Sequence, residues 1–339
     1  DNKGKVLILV DMNRMIGLFM DYCHSKQLPP RTLLSYEQAL KLFAVWLKES
    51  EEIHDVERVR EGHIRRYIME LQSRGKYTAC IDQRMTRVNH PTNRRDYKDK
   101  VSSCTINNYL RNLRVFFTWL EETECIVQSP MKKVRALPQE RSPRDFMTDD
   151  EVKRLIKSLD KSVFHEYRDL LVALLMLDCG MRLGETLSIE MKQVNMTERS
   201  ILLPADKTKS RKERQVYFAQ KTAVELRRWM QYKDRYCEST SLFPVKHTGF
   251  PLKISNFEAN FRKYLQRINL DKHISPHNLR NNFAKRCLMS GMDIYTLSKI
   301  LGHSSVQVTE KAYLDVTDSD IRKRYSRFSP IDSIYYQNK

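Results

Sequence analysis

Six residues in the second half of the chain have the types, and the order, that phosphoryl transfer to a protein oxygen needs: Arg182, Lys209, His277, Arg280, His303 and Tyr313. Two arginines offer planar forks that grip the non-bridging oxygens of a phosphate in bidentate fashion. Their charge opposes the extra negative charge of a pentacoordinate phosphoryl transition state. A tyrosine is an oxygen nucleophile, but its ordinary pKa of about 10 means that it must be activated. A histidine or lysine beside it can take or deliver the proton. His277 and Arg280 are three residues apart, which places them on one face of a helix. The sequence shows no carboxylate cluster suited to a metal, so the arginines would stand in for the usual magnesium ions, and no cofactor is expected.

Each of these residues alone has an ordinary explanation. An arginine is commonly a surface or salt-bridging residue, and a lysine in a polar turn is usually just solvated. His277 could be a helix cap and His303 a buried, satisfied histidine. Tyr313 is one of 16 tyrosines. The ordered set carries the weight, because independent surface residues have no reason to fall into this spacing.

The elements around them are mostly helical. In the first part of the chain Tyr36, Leu40, Phe43 and Leu47 recur at helical spacing, as do Ile106, Leu110, Leu113, Phe117 and Leu120. A shorter helix is expected over His63 to Leu71, and the first 30 residues read as another helix of the same domain. Val127 to Met147 carries Pro130, Pro138 and Pro143 among basic residues, which marks a linker. After it, Thr148 precedes Asp149-Asp150-Glu151, an N-cap with acids in the first turn. A leucine-rich helix then ends near Gly180. Arg199 to Ala205 and Arg214 to Ala219 have strand character, with a polar turn from Asp206 to Glu213 between them, so a hairpin is expected. Helices follow from Thr222 onward, near Asn256–Ile268, His277–Met289 and Ile294–Leu301. The expected fold is therefore mainly α with a small antiparallel β-sheet. It divides into a helical domain over 1–130, a linker over 131–147 and a second domain with a C-terminal tail over 148–339.

Composition narrows the partner. The 339 residues carry 60 Lys+Arg against 42 Asp+Glu, a formal charge of +18. Residues 1–140 hold +6 of it and the remainder +12. That balance points to a polyanion, nucleic acid before an anionic membrane surface. The segment from Arg84 to Lys100 holds Arg84, Arg87, Arg94, Arg95, Lys98 and Lys100 against Asp96 and Asp99. It is a solvated loop or a phosphate-contacting one. With Lys132, Lys133, Arg135 and Arg141 in the linker, it supplies the DNA-contacting candidates. Seven scattered cysteines without a CxxC, and no HExxH, argue against a disulfide framework or structural zinc. Nine glycines, none in a GxGxxG or GxxxxGK arrangement, leave nucleotide chemistry without its usual cradle. No apolar run spans a bilayer, and the first ten residues lack a secretory cleavage pattern, so a cytoplasmic location is expected.

The clusters resemble those of the tyrosine recombinase, or phage integrase, family. Its arginine motif is similar to GMRLGE (180–185), its second box to HNLRNNFA (277–284) and its third to LGHSSVQVTEKAY (301–313). The resemblance covers roughly residues 30 to 316. It implies an N-terminal SAM-like, DNA-clamping helical domain ahead of the catalytic domain. It implies that Arg182 and Arg280 clamp the scissile phosphate and that Lys209 protonates the departing 5′ oxygen. Lys207 competes for that place, but Lys209 lies three before Lys212-Glu213-Arg214, where the family lysine usually falls. His277 would be a general acid or base, His303 a hydrogen-bond partner of the phosphate, and Glu185 a supporting carboxylate. Tyr313 would attack, giving a 3′-phosphotyrosine and a free 5′ hydroxyl without ATP, metal or cofactor. Duplex DNA, with a dimer on one site and a tetramer in synapsis, would be the assembly. The tail, with a helix over Asp318 to Arg327 and apolar groups from Ile331 to Tyr336, would pack on its own domain or on a neighbouring protomer. Asn281 and Asn282 stand where the family more often has His and Thr or Ser. The alternatives are a sequence-specific DNA-binding regulator with this fold but no strand exchange, and a type IB topoisomerase.

Overall fold

The structure is a computed structural model and describes residues 10–79, 81, 90–139, 145–208, 212–303, 305–313, 322 and 325. Internal contacts divide the chain into two units, Asp1–Arg141 and Ser142–Lys339.

The first unit is helical. Helix α1 (Met12–Ser25) starts at Asp11, whose side chain accepts from the Arg14 N–H. Helix α2 (Pro30–Glu51) begins with proline, which lacks the N–H that would be orphaned there. Helices α3 (Glu61–Ser73) and α4 (Ser103–Glu122) complete the described packing, the latter capped by Ser102. The stripes read from the sequence all point inward: Leu40, Phe43, Leu47, Ile106, Leu110, Leu113, Phe117 and Leu120 are buried, and Tyr36 packs against them. Aromatic rings lock the centre, with Phe43 edge-on to Tyr67 at 4.9 Å and Phe19 edge-on to Phe116 at 5.4 Å. Buried Asn112 donates to the Ser35 carbonyl and hydroxyl, joining α4 to α2.

The segment expected to be a linker is not uniform. Met131 and Val134 are buried in the first unit's core, because they are the apolar positions of the basic run MKKVR. Arg114 donates to the Val134 carbonyl, and Asn107 exchanges two hydrogen bonds with Leu137. At the other end, Met147 is buried in the second unit's core.

The second unit starts with α5 (Asp149–Ser158). Thr148 and Glu151 form a reciprocal capping box there, with bonds of 3.3 and 2.7 Å. Helix α6 (Phe164–Cys179) is buried on almost every side and forms the axis of this unit. Short helix α7 (Leu183–Leu187) follows, then a three-stranded antiparallel sheet of β1 (Val194–Asn195), β2 (Ser200–Leu203) and β3 (Arg214–Tyr217) in that order. In the β2–β3 register Ile201 faces Val216 and Leu203 faces Arg214. Period-two alternation buries Ile201 and Leu203 on one strand and Val216 on the other. Helices α8 (Gln220–Tyr236), α9 (Ile254–Arg267), α10 (Pro276–Met289), α11 (Ile294–Leu301) and α12 (Val306–Tyr313) complete the described part. Of the tail helix expected over Asp318–Arg327, Arg322 and Tyr325 are described and exposed; the other tail residues lie outside the described ones. Among the described residues no helix is long and apolar enough to cross a membrane.

Candidate active site

The site forms where three sequence-distant segments meet. Helix α6 stops at Gly180, whose φ of +65° is left-handed backbone that glycine adopts without strain. A Cβ at this position would lie 2.3 Å from the Phe283 ring of α10, so α10 packs against the glycine's bare backbone. The turn that follows ends at Arg182, the N-cap of α7. Glu185 reaches back to accept from the Arg182 backbone N–H at 2.9 Å and from its Nη1 at 2.8 Å.

Glu185 is 3% exposed and is held from the other side by Arg214 of β3. Arg214 donates Nη2 to Oε2 at 2.6 Å and Nη1 to Oε1 at 3.2 Å. Burial alone would raise the pKa of this carboxyl; hydrogen bonds and charge from Arg214 and Arg182 reverse that and hold it below its ordinary value. Arg214 also donates Nε to the Ile300 carbonyl at 3.1 Å. Two residues later Gly302 is again left-handed, with φ +63°, and a Cβ there would meet the Arg214 side chain at 2.9 Å. One guanidinium thus ties the hairpin to both the arginine motif and the histidine turn.

Arg280 lies on the buried side of α10 and is 1% exposed. Its Nη1 donates to the Gly180 carbonyl at 2.8 Å, and its Nη2 to the Leu301 carbonyl at 2.8 Å and the His303 Nε2 at 2.9 Å. His303 makes a second bond, 2.7 Å, between Nδ1 and the Thr309 hydroxyl. Burial, followed by the charges of Arg280, Arg182 and Arg214, depresses the pKa of this ring to about 4, so it is neutral at physiological pH. Arg182 Nη2 lies 3.5 Å from the Gly302 carbonyl, and its side chain is one-quarter exposed. His277 is exposed on α10, one turn before Arg280.

The structure therefore brings together Arg182, Arg280 and His303, with His277 on the same helix as Arg280. Tyr313 is the last residue of α12. Lys209 lies outside the described residues. On either side of it, buried Thr208 accepts from the Lys212 N–H at 3.2 Å and donates to the Lys212 carbonyl at 2.9 Å. Lys207 ends a short 3₁₀ turn just before it. Asn281 and Asn282 are buried in α10, and Asn282 donates to the Asn278 carbonyl.

Of the DNA-contacting candidates, Arg84, Arg87 and Arg141 lie outside the described residues. Lys132, Lys133 and Arg135 are exposed around the buried anchors Met131 and Val134. Arg94 stacks on the Tyr77 ring at 4.1 Å beside Asp96, and Arg95 is exposed.

Two residues of the site escaped sequence reasoning. Arg214 entered it only as a spacing mark; its signal was a cation opening the strand after the lysine turn. Thr309 sits four before Tyr313, one helical turn away, and that spacing was its signal.

Two family profiles match the chain, one in each unit. A profile described as the phage integrase family matches residues 145–320, and one for the N-terminal SAM-like domain of phage integrases matches residues 16–88. A protein named tyrosine recombinase from Pseudothermotoga lettingae is 27% identical over 314 residues, covering 91% of this chain and 96% of its own length. One named tyrosine recombinase XerC from Vibrio cholerae is 28% identical over 212 residues, covering 62% of this chain and 67% of its own. The fold is similar to that of the Tn1549 transposon integrase in complex with a circular intermediate DNA, with a TM-score of 0.71 at 16% identity, covering 94% of this chain and 99% of that one. It is also similar to that of a lambda integrase dimer bound to a core site, with a TM-score of 0.65 at 11% identity, covering 89% and 95%.

Proposed function

The chain belongs to the phage integrase family, and from that premise we propose that it is a site-specific DNA recombinase whose Tyr313 breaks and rejoins duplex DNA through a 3′-phosphotyrosine. The observation that carries the assignment of residues is the hydrogen-bonded junction of the three motifs. Arg280 reaches Gly180 across 100 residues, Arg182 reaches Gly302 across 120, and Arg280 holds His303.

In this reading the scissile phosphate enters against Arg182, the more accessible guanidinium, and exchanges its oxygens for the bond Arg280 now makes to His303. The Tyr313 hydroxyl attacks phosphorus, its Oη–P bond forms, and the P–O5′ bond breaks. His277 takes the phenolic proton and the Lys209 ammonium gives one to the departing 5′ oxygen. Because the phosphodiester becomes a phosphotyrosine of similar energy, the 5′ hydroxyl of a partner strand can reverse the step without ATP. The arginines neutralise the charge that builds on the non-bridging oxygens, and Glu185 with Arg214 keeps Arg182 in its orientation.

The test is a nicked half-site, taken from a sequence selected for binding, that releases the 5′-hydroxyl fragment and traps the covalent adduct. Wild type is expected to give a denaturant-resistant adduct and Tyr313→Phe none. Specific binding without an adduct, or an adduct that survives Tyr313→Phe, would overturn the assignment, the first in favour of a regulator.

DNA affinity should depend steeply on salt, since each phosphate neutralised releases counterions. Arg94→Gln with Arg95→Gln is expected to lower the slope of log K against log salt by roughly one to two and to weaken specific and random DNA alike. A loss confined to one base position would contradict this phosphate-contacting role. Assembly as a dimer on each site and a tetramer in synapsis, in the cytoplasm, completes the proposal.

A further inference from the structure

We propose that Thr309 is a positioning residue for His303: its hydroxyl holds the ring as the Nδ1–H tautomer and fixes that tautomer to the helix ending at Tyr313. The inference deepens the recombinase reading above and rests on it for its consequence.

The tautomer follows from the donor inventory. A guanidinium has no acceptor, so the 2.9 Å bond between Arg280 Nη2 and His303 Nε2 requires a lone pair on Nε2. In a neutral ring the proton is then on Nδ1, and it donates to the Thr309 hydroxyl at 2.7 Å. Thr309 is 0% exposed, so no water competes for that bond. Among the described residues, the charged and titratable groups acting on the ring are Arg280 and His277 of α10, Arg182 before α7 and Arg214 of β3. All four act against a positive imidazole.

An incoming phosphate changes the balance. Its oxygens take the Arg280 N–H, Nε2 is released, and the phosphate's negative charge offsets the surrounding cations. With Nδ1–H still held by Thr309, His303 donates to the phosphate only by gaining a second proton from solvent at Nε2. The ring is thereby charged when DNA is seated and neutral when it is not. Thr309 stabilises that charged ring by accepting its Nδ1–H, because a hydrogen bond to the charged form favours it.

Two measurements test this on the full chain. In the DNA-free protein, nitrogen NMR of the histidine rings is expected to show His303 protonated at Nδ1 and bare at Nε2. The reverse pattern would overturn the proposal, and this readout does not depend on cleavage. In single-turnover trapping on the nicked half-site, Thr309→Val should slow adduct formation about tenfold and move the alkaline limb of the pH–rate profile to lower pH by roughly one unit. DNA affinity should stay within about twofold. Thr309→Ser, which keeps the hydroxyl, should restore both rate and profile. A Thr309→Val profile superimposed on wild type, or a serine variant as impaired as valine, would overturn the positioning role. A wild-type chain that binds its site yet traps no adduct would instead overturn the recombinase reading.

Discussion

Arg280→Lys is expected to reduce single-turnover strand cleavage by about a thousandfold, the largest loss of any single substitution that leaves Tyr313 in place. Arg280 is buried, and its planar fork serves the Gly180 carbonyl, the Leu301 carbonyl and His303 at one time. A lysine ammonium is a point charge on a different stem and cannot span these directions together. At least one buried carbonyl loses its donor, costing about 1–3 kcal/mol of stability. His303 loses the partner that fixes Nε2, and the phosphate loses a bidentate donor. Thermal unfolding and adduct trapping on the same variant separate the two effects. If the lysine variant melts lower but cleaves within tenfold of wild type, Arg280 is a structural pin and not part of the phosphate clamp.

Glu185→Gln should have the second largest effect, seen first in stability. The carboxylate is enclosed between Arg182 and Arg214, and the amide keeps its shape while removing its charge. Two arginines then face each other with one partner neutral, and losing one member of such a buried network costs about 3–5 kcal/mol. Cleavage should fall by about a hundredfold, since a displacement of Arg182 by about 1 Å spoils the approach to phosphorus. The acid response supplies an independent check. Because the folded-state pKa of Glu185 is depressed, its contribution is full above the unfolded value of about 4.3 and is lost as pH falls through the folded one. Urea titrations of the variant should therefore show a shallower loss of stability below that pH than wild type. A variant within about 0.5 kcal/mol of wild type at neutral pH would sink this account.

Much of the fold could be read from residue spacing. The stripes at Leu40–Phe43–Leu47 and Ile106–Leu113–Leu120 predicted helices that bury those residues, and Ile294–Leu301 is a helix with the bounds expected. Helical periodicity survives without tertiary context because it reports which face leaves water. The anchors inside the expected linker were less visible. Met131 and Val134 are two apolar residues among cations, too few to set a period, yet they anchor in the first unit.

At the site the three boxes were legible as motifs, but their mutual support was not. Sequence suggested a pair of phosphate clamps; the structure shows Arg182 partly exposed and Arg280 buried, the latter bound to backbone carbonyls far away in the chain. Arg214 and Thr309 act through partners 29 and 6 residues away whose approach only tertiary packing decides. A buried carboxylate between two arginines likewise has no local signature, since Glu185 reads as one more acid in a first turn.

The two left-handed glycines have a consequence for transplanting these motifs between proteins. The space a Cβ would occupy at Gly180 is taken by Phe283 of the second box, and the space at Gly302 by Arg214 of β3. Each motif therefore carries a vacancy shaped for a residue of another. A chimera that imports the arginine motif alone leaves behind Phe283, the residue that fills the space at its glycine. The smallest portable module is the set of glycines together with Phe283 and Arg214, exchanged as one block.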